Sequence, residues 1–167
     1  MKKKYEFVKD DARSWKGRTV RRIVAIRDFD DVKEGDLGGY IESESNLSQE
    51  DTCWIYDNAV VCGDAVVYGD AKVCGDAVVY GDAKVYSSAE VYDGAEVYGG
   101  AEVYGDAEVY CDAKVYCDAK VYGRAKVYDN AKVHDRAKVY DNAKVHGRAE
   151  VCGNAEVRGE AVIRGGA

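Results

Sequence analysis

From residue 59 onward, apolar and polar positions alternate inside a six-residue period that runs to residue 167 without an insertion. Ala stands at 59 and at every sixth position through Ala167, nineteen in register. Two positions after each Ala comes Val, from Val61 to Val157, with Ile163 as the last. The consensus is Ala-x-Val-Tyr-Gly-Asp, and one earlier unit, Cys53-Trp54-Ile55-Tyr56-Asp57-Asn58, has Cys in the Ala slot. Within a unit, Ala and Val alternate with x and Tyr, which is strand periodicity. Ala and Val therefore face one side, x and Tyr the other. The remaining two slots predict a corner. Gly fills the first of them in 11 of 18 units, and Asp at 93, 129, 135 and 141; both tolerate φ > 0. The second is mostly Asp, Asn or Gly, which are turn formers. A strand of about four residues and a corner cannot bury its apolar side alone, so it must stack on neighbours. An apolar period of six fits no helical stripe.

Six-residue edges with small interior residues predict a triangular coil of three units, or 18 residues. Successive coils then stack about 4.8 Å apart by parallel backbone pairing. Residues 59–167 make about six coils and a rod of roughly 29 Å. Residues 18 apart should share a face. Tyr68, Tyr86, Tyr104, Tyr122 and Tyr140 then form one ring column. Tyr80, Tyr98 and Tyr116 form a second ending in His134, and Tyr92, Tyr110 and Tyr128 a third ending in His146. In the x slot, Glu96 should meet Lys114, Lys84 Glu102, Glu108 Lys126, and Lys132 Glu150.

Residues 1–52 lack the repeat and hold both leucines, Phe7, Phe29 and Trp15. Tyr5–Val8 and Thr19–Ile26 read as strands, and Lys33-Glu34-Gly35-Asp36 as a turn. This segment is expected to cap the first coil, because open pairing edges recruit other chains. Two parts of one structural domain follow: a capping segment, 1–52, and a β-solenoid, 53–167. The last units stop mid-pattern, so no C-terminal cap is expected.

The run Val-Tyr-Gly-Asp-Ala-Lys resembles the hexapeptide repeat of left-handed parallel β-helix proteins. It departs from that pattern in placing Tyr after the aliphatic residue. The resemblance implies left-handed coiling, an exception to the usual crossover hand. The segments Ile23–Phe29, Asp31–Lys33, Gly38–Tyr40, Asn46–Ser48 and Cys53–Asp57 resemble uncharacterised bacterial and phage hexapeptide proteins commonly labelled acyltransferases. That label implies a side-by-side trimer using a His near a subunit boundary and acyl-CoA. The expected fold is thus all-β, a left-handed parallel β-helix.

Composition narrows the function. The chain of 167 residues carries a net charge of −7, 14 Tyr and no Pro. Its acidity argues against nucleic acid as a partner. No apolar run approaches the ~18 residues of a membrane span, and the N-terminus is not a signal peptide. Six cysteines form no zinc or redox motif, and free thiols point to a reducing, cytoplasmic setting. Only two His exist, against the three of a family-type zinc carbonic anhydrase. No catalytic, cofactor or metal residues are assigned, and the balance leans against an enzyme.

Charge is uneven along the rod. Residues 53–112 carry 12 acidic and 2 basic side chains, and residues 113–167 carry 7 acidic and 11 basic. Such a dipole could steer association. The reading is a structural rod that self-associates end to end rather than as a side-by-side trimer. Its interface is Ala161, Val162, Ile163 and Ala167. Two alternatives stay open: the acyltransferase-like trimer, and a module binding a glycan or partner through the Tyr columns.

Overall fold

The computed structural model describes residues 2–166. Three parallel sheets form the sides of a β-solenoid with an 18-residue repeat. One runs from Val60–Val61 to Glu150–Val151, one from Val66–Val67 to Glu156–Val157, and one from Trp54–Ile55 to Val162–Arg164. Register places Val on Val throughout, as in Val85, Val103 and Val121. Before the last coil, x-slot N–H groups donate to Ala carbonyls on the next coil, and Tyr-slot N–H groups to Val carbonyls. Glu102 reaches Ala119 and Tyr104 reaches Val121, both at 3.0 Å. The regular strands are two residues long, x and Val, shorter than the alternation predicts, because the corners claim the flanking residues.

The interior is columns of Val and Ala, fully buried from Ala59 to Val145. The x and Tyr slots lie on the outside. Every first corner residue from Gly63 to Gly159 has positive φ, whether Gly or not. At four of the five Asp corners the side chain offsets the left-handed backbone with a bond of its own. The carboxylates of Asp57, Asp129, Asp135 and Asp141 accept the N–H of Gly75, Gly147, Gly153 and Gly159 at 3.0–3.1 Å.

The parallel stack reaches back before the repeat, giving about seven turns rather than six. Strands β1 (Tyr5–Trp15) and β2 (Arg18–Ala25) are antiparallel, and β2 pairs antiparallel with β3 (Leu37–Ile41). β3 then runs parallel to Val60–Val61, and Leu47 bridges Val67. Ile41, Leu47 and Ile55 fill the inward slots and are fully buried. Gly39 lets β3 lie close: a Cβ there would meet the Ala59 carbonyl oxygen and Ile55 Cγ2 at 2.5 Å. β1 is longer than the predicted Tyr5–Val8 and carries an irregularity between Phe7 and Ala12, with Asp10 at φ 61.

Lys4 and Tyr5 bond to carbonyls of the first coil. Lys4 is fully buried, and its Nζ donates to the carbonyls of Cys53, Glu50 and Asp51 at 2.8, 3.0 and 3.3 Å. Burial lowers its pKa, with the Cys53 side chain opposing the shift. The Tyr5 hydroxyl donates to the Leu47 carbonyl at 2.6 Å. No helix among the described residues is long and apolar enough to cross a membrane.

Candidate functional surfaces

Among the described residues, Glu150–Val151, Glu156–Val157 and Val162–Arg164 are the end strands of their sheets, each with one neighbour. Ile163 continues an inward column, stacked under Val145. Val145 is fully buried, yet Ile163 is 38% exposed and Val162, in the outward x slot, 58%. Ala161 is half-buried and packs on the core. An apolar edge with open ladder positions is thus presented at one end. Ala167 lies outside the described residues.

The three ring columns form as the 18-residue register predicts. Tyr68, Tyr86, Tyr104, Tyr122 and Tyr140 stack at 4.8–4.9 Å, with interplanar angles of 2–4°. Tyr80, Tyr98, Tyr116 and His134 form the second column, and Tyr92, Tyr110, Tyr128 and His146 the third. Trp15 of β1 packs on Tyr80 at 5.0 Å, a contact the repeat alone does not show. Interior rings have both faces covered by neighbours and offer solvent only their edges. A sugar that stacks on an aromatic needs a ring face, so these columns suit stiffening better than glycan capture. The hydroxyls of Tyr86, Tyr92 and Tyr140 donate to Glu102, Glu108 and Glu156 at 2.9–3.0 Å. Partial burial, then the carboxylate bonds, raise the pKa values of Tyr86 and Tyr92, and burial takes Tyr80 and Tyr110 to about 12.

The charge ladder forms in part. Lys114–Glu96 and Lys126–Glu108 pair at 3.5 and 3.3 Å. Glu102 faces Lys84 in register but joins Lys120 at 3.7 Å and the Tyr86 hydroxyl instead. Glu150 faces Lys132 in register but bonds His134 Nε2 at 2.7 Å. These half-exposed pairs each contribute roughly 0–1 kcal/mol.

The two histidines lie on different faces. Burial works against charging His134, but hydrogen bonds to Glu150 and Asp135 outweigh it and raise its pKa. His146 Nδ1 is 3.8 Å from Asp129. An open cleft of about 450 Å³ lies beside it, with Arg148, Arg164, Asp129 and Asn130 on its walls. All six cysteines are free. Burial raises the Cys62 and Cys74 thiols to about 11, leaving both poor nucleophiles.

No protein-family model matches the chain. A stretch of 45 residues, 26% of this chain, is 53% identical to the protein named Uncharacterized acetyltransferase YdcK of Escherichia coli (strain K12). The matched stretch spans 14% of that protein's length. Together with the 18-residue coils, this makes the chain similar to hexapeptide-repeat β-helix proteins.

Proposed function

We propose that this chain is a structural rod that self-associates through its last coil, with Ala161, Val162 and Ile163 at the centre of the contact. The observation that carries this reading is the exposure of Ile163 at the end of an otherwise buried column. Burying that edge against a second copy would remove apolar surface from water and occupy open ladder positions. Lys4, Tyr5 and β2 take bonding positions on the first coil, which supports a contact of last coil to last coil. Such a contact is isologous. Residues 149–166 hold three Glu and two Arg, a nearly neutral mixture that does not oppose a two-fold contact. Left-handed coiling belongs to this proposal, as the hexapeptide resemblance implies.

Light scattering across a concentration series tests the reading. The unaltered chain should pass from monomer to dimer, and Ile163→Asp should stay monomeric with an unchanged circular dichroism spectrum. Association that persists in Ile163→Asp would overturn the interface.

A second reading, acetyl transfer, draws on the matched protein's name and on the cleft beside His146. Arg148 and Arg164 there could hold the phosphates of an acyl-CoA donor, with the His146 imidazole as general base. It requires acetyl-CoA binding that disappears in Arg164→Ala, and turnover that disappears in His146→Ala. No binding of acetyl-CoA by the unaltered chain would remove it.

A further inference from the structure

His134, Glu150 and Cys152 meet on one outer face of the solenoid. Position 152 follows 134 by one coil, so the thiol takes the slot beneath the imidazole. Glu150 and Cys152 are two residues apart on extended backbone and point to the same side. One nitrogen, one carboxylate oxygen and one sulfur from these side chains lie within 4.8 Å of one another.

The imidazole is held from both sides. Its plane is set by stacking on Tyr116 at 4.8 Å. Its Nδ1 lies 3.4 Å from Asp135 Oδ1, while Nε2 points to Glu150 Oε1 at 2.7 Å. Asp135 is anchored in turn, because its other carboxylate oxygen accepts the Gly153 N–H at 3.0 Å. A carboxylate accepting from Nδ1–H is the arrangement found behind metal-binding histidines, and Nε2 becomes a ligand once it gives up the proton it shares with Glu150.

We propose that His134 Nε2, the Glu150 carboxylate and the Cys152 thiolate form a site for Zn²⁺ or a similar borderline-soft divalent cation, with Asp135 as positioning residue. Nitrogen, oxygen and sulfur donors in one set suit zinc and disfavour calcium and magnesium, which take oxygen. Tetrahedral zinc bonds of about 2.0–2.3 Å put ligand atoms roughly 3.3–3.8 Å apart. The cluster reaches that spacing when Glu150 backs away from His134 and Cys152 closes in. Both acidic ligands are exposed, so the side chains have room to move. Binding releases the thiol proton and the proton held between His134 Nε2 and Glu150, and replaces that hydrogen bond with two metal bonds. The fourth position stays open to water. Val162–Arg164 supplies none of its ligands, but Glu150 and Cys152 belong to the last coil, so the titration is run at a concentration where light scattering shows the monomer.

The test uses the full chain, reduced and stripped of metal, titrated with Zn²⁺ alone by calorimetry and with Co²⁺ as an absorbing reporter. The unaltered chain should bind both, and Co²⁺ should give a thiolate-to-metal charge-transfer band. Cys152→Ser should abolish that band. His134→Gln should weaken Zn²⁺ binding by more than about tenfold, and Asp135→Asn, which tolerates the same corner backbone, by about tenfold. Cys117→Ser, another exposed thiol outside the cluster, should change neither. Absence of Zn²⁺ binding to the unaltered chain would overturn the site. So would a band that survives Cys152→Ser, or one that Cys117→Ser removes. The first of these measurements needs no variant, so a folding defect cannot shelter the proposal.

Discussion

Replacing Val103 by Ala in the middle of the rod tests what holds the coils together. Val103 is fully buried between Val85 and Val121 of the adjacent coils. The change removes the equivalent of two methylene groups, about 1.6 kcal/mol of transfer free energy. The neighbouring coils cannot close the gap, because ladder bonds fix their spacing. Tyr86 N–H donates to the Val103 carbonyl at 3.1 Å and Tyr104 N–H to the Val121 carbonyl at 3.0 Å. The void therefore persists, and the total cost should be about 2–3 kcal/mol. Val157→Ala in the last coil removes the same atoms from a column with no coil beyond, so no enclosed void forms. Its cost should be the transfer term alone, about 1.6 kcal/mol or less. Urea unfolding followed by circular dichroism and by tyrosine fluorescence measures both, provided the two probes coincide. A cost below about 0.5 kcal/mol for Val103→Ala, or one equal to that of Val157→Ala, would refute the rigid-ladder argument.

Two further outcomes follow from the outer face. Tyr104 stacks on Tyr86 and Tyr122 at 4.9 Å, so Tyr104→Ala should cost about 1–3 kcal/mol in the same unfolding assay. Tyr104→Phe should be nearly neutral, since stacking and not the hydroxyl does the holding, whereas Tyr86→Phe also loses its bond to Glu102. His134 has a raised pKa in the folded chain. Its charged form is the one the fold favours, so its contribution is complete below its unfolded value of about 6.5 and fades as pH rises through the folded value. Melting temperature measured in EDTA should therefore fall across that window in the unaltered chain and fall less in His134→Gln.

The columns were legible because two periodicities coincide. Alternation puts Ala and Val inside, and three six-residue sides place residue 18 over its predecessor, which locates every Tyr pair. The first coil was hidden because Ile41, Leu47 and Ile55 occupy the inward slots without the hexapeptide. Leu47 and Ile55 are eight residues apart where the repeat allows six. Lys4 gave no signal at all, since a buried lysine is recognised only by the carbonyls that converge on it. The first-slot carboxylates read only as residues that tolerate φ > 0, because their bonds to glycine N–H groups cross between coils. The His134–Glu150–Cys152 cluster was within reach. Adding 18 to 134 gives Cys152, and Glu150 then shares its face. Register alone, however, pairs Glu150 with Lys132 and does not show the imidazole drawing it away.

The most direct test of the account is particle length by small-angle X-ray scattering as concentration rises, for the unaltered chain beside Ile163→Asp. Seven coils at 4.8 Å give a solenoid of about 34 Å. Last-coil association should roughly double that length at constant cross-section, while Ile163→Asp stays at the single length. A cross-section that grows instead of the length, or an unaltered chain that remains a single rod at every concentration, would contradict it.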